Sequence, residues 1–333
     1  MNILGIETSC DETAASLLEG RGDKIKVISN IVSSQIDIHK KYNGVVPEVA
    51  AREHVLNILP VINEAIGNIK PDAIAVATGP GLITSLMVGV ETAKTLAYAW
   101  NLPVISVNHI EGHIYSCFID NAAKIKFPAI FLTVSGGHTM IVLMKNHGEL
   151  KIIGETVDDA AGEAFDKAAK LLGLGYPGGP LVSKEADKFS GGSGLEFPRP
   201  MLNKPNFDFS FSGLKTSLLY KVQKDKKWKK RISEYCFKYQ EAIVDVLVKK
   251  TIKAAKKYDA KTVCLSGGVS ANKTLRETLE KEAKKEKKTF IKPEFKYTTD
   301  NAAMVACAGY FNAKRNKYIP WQKLKANCNL DLK

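Results

Sequence analysis

The chain has 333 residues, of which 45% are apolar and 25% charged. These are the proportions of a globular protein with room for two domains. No apolar run reaches the roughly 18 residues of a membrane-spanning helix, and the acidic start of the chain argues against a secretory signal. We therefore expect a cytoplasmic protein that makes no membrane contact.

The net charge of +13 is spread unevenly. Residues 204–333 carry +18, whereas residues 1–203 carry −5. A basic half predicts a polyanionic partner, with nucleic acid the first candidate. Because only six of the 48 basic residues are Arg, a general preference for Lys is the competing explanation.

The six cysteines contain no C-x-x-C pair, and several lie in apolar runs. They are typical of reduced core thiols and not of a disulfide framework.

Three strands are predicted at the start of the chain, over residues 3–9, 13–20 and 24–35. A loop over 39–53 leads into a helix with a distortion at Pro60. The apolar positions expected to face the core of that helix are Val49, Leu56, Leu59 and Ile62. A buried strand and the glycine turn that follows it (72–81), a helix (82–100) and a strand (102–107) then form a βαβ pattern, which indicates a parallel sheet.

The second half repeats this pattern without repeating the letters. Residues 128–145 predict a strand, a tight turn and a strand, and residues 148–157 predict a third strand. The repetition indicates a duplicated α/β architecture. Further predictions are helices over 158–175, 232–258, 273–288 and 300–315, a rigid loop at 176–180, and an inserted, structured loop at 190–217 with a short strand.

The most specific local pattern is NHIEGH, residues 108–113. A helix starting near His109 places His109 and His113 one turn apart on one face, where they can hold one metal ion. Asp300, at another loop-to-helix junction, is the best third ligand. The competing interpretation is a pair of histidines that pack or cap near a helix start.

Glu111 does not complete a zinc-protease motif. It stands two positions after His109, about 200° around the helix, and so points away from the metal side. His39, His54 and His147 are interpreted as surface or loop histidines, and His138 is a weak site candidate.

Four small-residue turns follow predicted strands, at residues 8–13, 78–81, 134–138 and 265–272. Together they favour a phosphate or nucleotide ligand in a cleft between two lobes. The chain has neither a P-loop nor a G-x-G-x-x-G motif. Asp166 and Asn272 could bind sugar hydroxyls, or could be a solvated side chain and a helix N-cap.

Eight segments resemble one family over nearly the whole chain, the TsaD family of tRNA threonylcarbamoyltransferases. They are ILGIETSCDETAAS (3–16), NGVVPEVAAREH (43–54), NHIEGH (108–113), VSGGHT (134–139), residues 158–180, FPRPM with DFSFSGLKT (197–216), SGGVSANKTLR (266–276) and TDNAAMVA (299–306).

The resemblance implies an actin-like (ASKHA, RNase H-like) α/β fold of two duplicated lobes with a cleft between them. The first lobe would cover residues 1–120, completed by the C-terminal helix at about 300–333, and the second would cover 128–299. The implied reaction is acyl transfer. A threonylcarbamoyl group moves from threonylcarbamoyl-AMP to adenosine 37 of tRNAs that read ANN codons, and AMP is released.

By the same resemblance His109, His113 and Asp300 bind one divalent metal ion per subunit, with Fe²⁺ favoured over Zn²⁺ or Mg²⁺. The implied substrate-binding residues are Thr133, Val134, Ser135, Gly136, Gly137, Asp166, Gly179 and Asn272. Relatives that carry Tyr at position 133 can use it in the metal shell, so Thr133 leaves the fourth ligand to substrate or water. The implied partners, besides tRNA, are a TsaB-like pseudoenzyme paralogue and a TsaE-like ATPase.

Two other functions stay open at this point. An actin-like ATPase or sugar kinase would share the fold and the glycine turns but would not need the histidine pair. A noncatalytic nucleic-acid-binding module would use only the basic half.

Overall fold

The computed structural model describes residues 1–42 and 44–332. The chain divides into two compact units. The first unit comprises Met1–Lys126, Asn146–Leu150 and Pro293–Lys333, and the second comprises Phe127–Lys145 and Lys151–Lys292. Within the described ranges, no helix is both long and apolar enough to cross a membrane.

The described residues form ten strands and ten α-helices. The strands are β1 (Asn2–Glu7), β2 (Glu12–Arg21), β3 (Lys24–Ser34), β4 (Ala73–Gly79), β5 (Val104–Asn108), β6 (Ala129–Val134), β7 (Thr139–Met144), β8 (Leu150–Glu155), β9 (Thr262–Ser266) and β10 (Thr289–Ile291). The helices are α1 (Ile36–Lys40), α2 (Pro47–Ile66), α3 (Ile83–Trp100), α4 (His109–Ser116), α5 (Ala161–Leu172), α6 (Gly178–Ala186), α7 (Ser212–Lys224), α8 (Ile232–Lys257), α9 (Lys273–Lys285) and α10 (Ala302–Lys314).

The first unit is built on a five-stranded mixed sheet in the order β3-β2-β1-β4-β5. Strand β1 pairs antiparallel with β2 and parallel with β4, and β4 pairs parallel with β5. Both β1 and β4 are apolar and buried along nearly their whole length. Such continuous apolar runs are typical of central strands covered on both faces.

Helix α10 packs against β1 and is buried over almost all of its length. Small residues allow this close approach. A Cβ on Gly5 would lie 2.3 Å from the carbonyl oxygen of Ala302, and one on Gly309 would lie 2.3 Å from the Cβ of Ala75. The contact brings the start of α10, and Asp300 just before it, to the sheet of the first unit although they are far apart in sequence.

The second unit repeats the same sheet. Read from the edge strand β8, its strand order is β8-β7-β6-β9-β10. This matches the first sheet strand by strand, with β6 to β10 in place of β1 to β5. Strand β6 pairs antiparallel with β7 and parallel with β9, as β1 does with β2 and β4. The prediction of two duplicated α/β halves is confirmed at the level of strand order.

The segment before α7 is anchored by aromatic side chains. Phe207, Phe209 and Phe211 are all buried in the core of the second unit, as the aromatic content of the sequence predicts. Only an isolated bridge between Thr156 and Phe209 stands where a short strand is predicted. Helix α7 begins at Ser212, inside the predicted loop 190–217. Helix α6 likewise begins at Gly178, inside the predicted rigid loop.

The prediction for the face of α2 is wrong at two positions. Leu56 and Leu59 are 68% and 55% exposed, while the buried side of the helix is formed by Ala50, His54, Ile58, Val61, Ile62 and Ala65. The helix also starts earlier than predicted, at Pro47, and continues through Pro60. Proline is well suited to the first helical position, because its missing N–H has no helical acceptor there.

The prediction that His39 and His54 lie at the surface is wrong, since both are fully buried. His54 Nδ1 lies 2.8 Å from Thr13 Oγ1, and its Nε2 lies 3.0 Å from the carbonyl oxygen of Cys10. His39 Nε2 lies 3.1 Å from Gln35 Oε1. These partners satisfy the polar atoms of the imidazoles and so make their burial tolerable. Burial lowers the pKa of His54 and favours its neutral form.

Candidate metal centre and strand-end site

The first unit holds the two histidines of NHIEGH where the sequence predicts them. Helix α4 begins at His109 directly after β5, and its N-cap is Asn108. Asn108 Oδ1 accepts hydrogen bonds from the backbone N–H of Ile110 at 2.8 Å and of Glu111 at 3.2 Å. This cap fixes the first turn of the helix, so His109 and His113 stand on one face with ring centroids 4.6 Å apart.

Asp300 faces this histidine pair. Its Oδ1 lies 3.2 Å from His113 Nε2 and 3.6 Å from His109 Nε2. The three potential ligand atoms all lie within 4.8 Å of one another. A set of two imidazoles and one carboxylate suits a divalent transition metal ion. The structure therefore brings together the three residues that the sequence predicts as ligands.

The surroundings of His113 support a metal ligand more than a packing role. The ring is completely buried, and neither of its nitrogens makes a hydrogen bond within the described part of the chain. A buried imidazole without hydrogen bonds costs free energy. A cation held jointly with Asp300 would remove that cost, so the residues present fit a metal ion.

His109 is oriented by a carboxylate that the sequence analysis missed. Its Nδ1 lies 2.9 Å from Glu7 Oε2 and 3.0 Å from Ser9 Oγ. Glu7 is fully buried at the end of β1. Its other oxygen, Oε1, accepts a hydrogen bond from the backbone N–H of Ser9 at 2.6 Å. A carboxylate on the far nitrogen of a histidine fixes the ring and leaves Nε2 for the metal.

The surroundings of His109 are negatively charged. Burial alone would lower its pKa, but the carboxylates of Glu7 and Asp300 outweigh burial and raise the pKa to about 9. The site therefore attracts positive charge, and a divalent cation at Nε2 would compete with the proton there.

Two further carboxylates lie near Asp300, one at the end of the turn between β1 and β2 and one at the first residue of β2. Asp11 and Glu12 are both more than nine-tenths buried. Burial, together with Asp300 and Asp11, raises the pKa of Glu12 well above its usual range. Burial and the same acidic neighbours also raise the pKa of Cys10, so its thiol stays protonated. From the sequence alone this segment is predicted only as a turn. Its acidic residues directly after a buried strand are the signal that could have identified them.

Glu111 belongs to a different set of contacts, as its spacing predicts. Its carboxylate accepts a hydrogen bond from Asn312 Nδ2 at 3.3 Å and lies 3.6 Å from Arg315 Nη2. Arg315 also donates to the carbonyl oxygen of His147 at 3.0 Å. His147 stacks on Phe311 with ring centroids 4.2 Å apart. It lies in the turn between β7 and β8 and is half-buried, so its position agrees with the interpretation as a surface or loop histidine, and its ring also packs.

The C-terminal segment runs beside α4. The backbone N–H of Asn327 donates to the carbonyl oxygen of Thr78 at 2.8 Å, and Asn108 Nδ2 donates to the carbonyl oxygen of Leu330 at 3.1 Å. The side chain of Asn108 thus caps α4 and also makes a hydrogen bond to the backbone of the C-terminal segment.

The second unit gathers the predicted substrate-binding residues near the ends of β6 and β9. These strands are parallel, with Thr133 beside Ser266 in the register. The hydroxyl oxygens of Thr133 and Ser266 lie 3.0 Å apart, and the Thr133 side chain is fully buried. The turn after β6 is closed by Ser135, whose N–H donates to the carbonyl oxygen of His138 at 2.8 Å and whose Oγ accepts from the N–H of His138 at 3.1 Å.

Helix α5 starts against this turn. The carbonyl oxygen of Gly136 accepts a hydrogen bond from the N–H of Glu163 at 3.1 Å. A Cβ on Gly162 would lie 2.4 Å from the carbonyl oxygen of Ser135. Gly136 and Gly137 themselves are exposed, with nothing within 4 Å of where a Cβ would stand. The arrangement leaves backbone at a strand end open to a ligand.

Asp166 and Asn272 are both anchored in the second unit. Asp166 Oδ1 accepts from the N–H of Gly178 at 2.7 Å, which ties α5 to the start of α6. Burial raises the pKa of Asp166, although the N–H groups of Gly178 and Gly179 oppose the shift. Asn272 is the N-cap of α9, because its Oδ1 accepts from the N–H of Leu275 at 2.9 Å. Its amide group donates to Ser183 Oγ and Gln240 Oε1 at 2.8 and 2.7 Å.

Comparison with known proteins identifies the family. The family model described as TsaD, tRNA N6-adenosine threonylcarbamoyltransferase, matches residues 26–307. The tRNA N6-adenosine threonylcarbamoyltransferase of Thermosipho africanus is 49% identical, over 93% of this chain and 94% of its own. The protein of the same name from Bacillus subtilis is 48% identical, over 93% of this chain and 90% of its own.

Solved structures agree on the fold. HypF from T. kodakarensis superposes with a TM-score of 0.65 at 13% sequence identity, over 97% of this chain and 49% of that one, so this chain spans about half the length of HypF. The activator of 2-hydroxyisocaproyl-CoA dehydratase from Clostridium difficile, solved with bound ADPNP, gives a TM-score of 0.53 at 12% identity, over 95% and 97% of the two chains. These similarities show the actin-like fold. The family match and the relatives from Thermosipho africanus and Bacillus subtilis establish that the chain belongs to the TsaD family of tRNA N6-adenosine threonylcarbamoyltransferases.

Proposed function

We propose that this protein transfers a threonylcarbamoyl group from threonylcarbamoyl-AMP to adenosine 37 of tRNAs that read ANN codons. The exocyclic N6 amine attacks the activated carbonyl carbon and loses a proton, the new C–N bond forms, the C–O bond to phosphate breaks, and AMP leaves. The observation that carries the proposal is the His109, His113 and Asp300 triad in a chain that matches the family along most of its length.

A direct transfer, without an acyl-enzyme, agrees with the residues present. The mixed anhydride is already activated, so placing the amine near the carbonyl carbon can supply several kcal/mol of barrier lowering. Cys10 is the cysteine next to the acidic turn, and its raised pKa makes it a poor nucleophile. Trapping a stable acyl-enzyme in denatured protein would contradict this mechanism.

We propose Fe²⁺ as the ion of the metal centre, with His109, His113 and Asp300 as its ligands. Two histidines and one carboxylate leave coordination positions open, and this donor set suits iron(II) as well as zinc. A bound divalent ion would act as a Lewis acid toward substrate oxygens. Glu7 keeps the Nδ1 of His109 occupied and so presents Nε2 for binding.

The adenylate substrate is proposed to contact residues 133–137, Asp166, Gly179 and Asn272 of the second unit. Exposed backbone at Gly136 and Gly137, and the open space beside Gly179, support close approach of a ligand with phosphate oxygens. Asp166 and Asn272 would act mainly by fixing the starts of α6 and α9, because their side chains are already hydrogen-bonded there.

The proposed protein partners are a TsaB-like paralogue and a TsaE-like ATPase. Helices α2 and α3 pack against each other and carry exposed apolar side chains. These include Val55, Leu56 and Leu59 on α2 and Met87 on α3, each more than half exposed. Exposed apolar residues of this kind are common where another protein binds, which supports a protein partner for the first unit.

The decisive experiment is a transfer assay with purified protein, unmodified ANN-decoding tRNA and threonylcarbamoyl-AMP, with and without added partners. The tRNA is digested and the modified nucleoside is detected by mass. We expect product that falls at least a hundredfold in His113→Ala, with His147→Ala as the histidine control. Absence of product under every condition, together with ATP hydrolysis that is insensitive to His113→Ala, would favour an actin-like ATPase or sugar kinase instead.

A further inference from the structure

The densest basic segment of the chain takes no part in the metal centre or the strand-end site. Residues 224–231 read KDKKWKKR and contain six basic residues and one acidic residue. They join α7 to α8 in the second unit. Lys226, Lys227, Lys229 and Lys230 are all exposed.

This basic loop has a fixed conformation that centres on its one carboxylate. Asp225 Oδ1 accepts from the N–H of Lys227 at 2.9 Å, and Oδ2 accepts from Arg231 Nη1 at 2.7 Å and from the hydroxyl of Tyr235 at 3.2 Å. Beginning with the N–H of Lys227, these donors hold the pKa of Asp225 below its usual range. Trp228 packs against the core of the second unit from the middle of the loop.

The four lysines have no carboxylate partner among the residues that the structure describes. The two nearest acidic residues in sequence, Asp225 and Glu234, are both engaged by Arg231. Elsewhere the chain pairs exposed lysines with neighbouring glutamates, as at Lys284 with Glu280 and Lys285 with Glu282. In the basic loop the like charges repel one another and also stand at the positive N-terminal end of α8, which is unfavourable for folding.

We propose that the basic loop, residues 224–231, is a docking surface for the phosphate backbone of tRNA, an inference that rests on the proposed transferase function. Lysines act as flexible point charges toward phosphates, and such contacts position a nucleic acid without reading its sequence. Because Asp225 and Trp228 already fix the backbone of the loop, binding need not order it first. The loop also lies in the half of the chain that carries the +18 excess.

The test compares two variants with the same change in net charge. The first is Lys226→Gln, Lys227→Gln, Lys229→Gln and Lys230→Gln combined. The control is Lys188→Gln, Lys256→Gln, Lys284→Gln and Lys285→Gln combined, four lysines of the second unit that are each paired with a glutamate. The affinity of the full chain for unmodified ANN-decoding tRNA is measured at several salt concentrations, alongside the transfer assay and the melting temperature.

Loss of four phosphate contacts should reduce the slope of log affinity against log salt by about 3 to 4. We expect the basic-loop variant to bind tRNA on the order of tenfold to a hundredfold more weakly at low salt. The tRNA affinity of the control variant should change less than threefold. Both variants should remain folded, and the basic-loop variant should melt no lower than wild type, because it loses repulsion between like charges.

The outcomes separate the two levels of the proposal. If wild-type protein modifies tRNA but the basic-loop variant binds it as tightly and with the same salt slope, the loop is not the tRNA surface, and an acidic protein partner becomes the alternative. An equal loss in both variants would show that only total charge matters and would also overturn the inference. If wild-type protein neither binds nor modifies tRNA, the proposed function fails first and the docking surface fails with it.

Discussion

Glu7 shows how one buried side chain prepares a metal ligand. Its carboxylate contacts the Nδ1 of His109 and offsets the desolvation of the imidazole. Glu7→Gln keeps the shape but removes the charge, so we expect metal affinity to fall by about tenfold to a hundredfold, as for other partners of metal-bound histidines. Competition titration with a chromophoric chelator measures the change. Glu48→Gln, an exposed glutamate on α2, is the charge-matched control, and equal affinities in both variants would refute the assigned role of Glu7.

His147 provides a pH-dependent signature at the same scale. Burial, with help from Lys314 and Arg315, lowers its pKa to about 4 from an ordinary 6.5. The unfolded chain therefore binds this proton at a higher pH than the folded chain does. The stability contributed by the neutral ring is fully present above pH 6.5 and is lost as the pH falls from 6.5 toward 4.

The expected result is a melting temperature that falls more steeply between pH 7 and pH 5 in wild-type protein than in His147→Gln. Parallel curves would show that this imidazole is not titrating in that interval. Thermal melts followed by circular dichroism are sufficient, since all other ionisable residues are the same in the two proteins and cancel in the comparison.

At the residue scale, the sequence predicted the metal ligands better than it predicted the side chains that make hydrogen bonds to them. His109, His113 and Asp300 could be found because metal ligands have few residue types and a fixed helical spacing. Glu7 could not, because its contact with His109 spans 102 positions of the chain and only the sheet brings the two together. His54 was misassigned for the same reason, since its partner Thr13 lies on a strand 41 positions away.

Among the structural elements, the strand-end turn after β9 packs tightly against β6. Gly267 has φ of +85°, and a Cβ there would lie 2.4 Å from the carbonyl oxygen of Val134. Gly267→Ala should therefore cost about 1–3 kcal/mol of unfolding free energy, through both overpacking and backbone strain. The neighbouring Gly268 has open space and no positive φ, so Gly268→Ala is a matched control. Denaturant unfolding of both variants tests the difference, and equal midpoints would contradict it.

Element types were easier to predict than their buried faces. Helices α8 and α10 appear where periodicity and terminal signals place them. Helix α2 was predicted as a helix but with part of its face reversed, because Leu56 and Leu59 are apolar yet exposed. Apolar periodicity predicts that one face of a helix avoids water. It does not show whether that face packs into the core of the same protein or binds another protein.

For the molecule as a whole, the metal centre links distant parts of the chain. His109 and Asp300 are separated in sequence by the whole second unit but belong to one set of potential metal ligands in the first unit. An ion that binds only the folded state adds stability by mass action, about 2.7 kcal/mol at a hundred times its dissociation constant. We expect added Fe²⁺, under anaerobic conditions, to raise the melting temperature of wild-type protein.

His113→Ala should show no such metal-dependent rise, and a chelator should reverse the rise in wild-type protein. Hydrogen exchange locates the effect, with added protection expected in α4 and at the start of α10. A shift of equal size in His113→Ala would place the stabilising ion somewhere else.

The duplicated architecture was visible in the sequence as two similar successions of strands and turns, whose letters differ. Pattern alone could not supply the strand order, which depends on pairings such as β1 with β4 and β6 with β9. The function was indicated by long motifs that resemble one family. Composition and charge alone predicted only that the protein binds a polyanion.

The contact between Asn108 and Leu330 has a practical consequence for preparing this protein. A polyhistidine tag fused directly after residue 333 would follow Leu330 closely, and Leu330 is held beside the helix that carries His109 and His113. Its imidazoles would be held at high local concentration near the metal centre and could compete for the ion. Measurements of metal content and identity are therefore best made on protein whose affinity tag is at the N-terminus or has been removed.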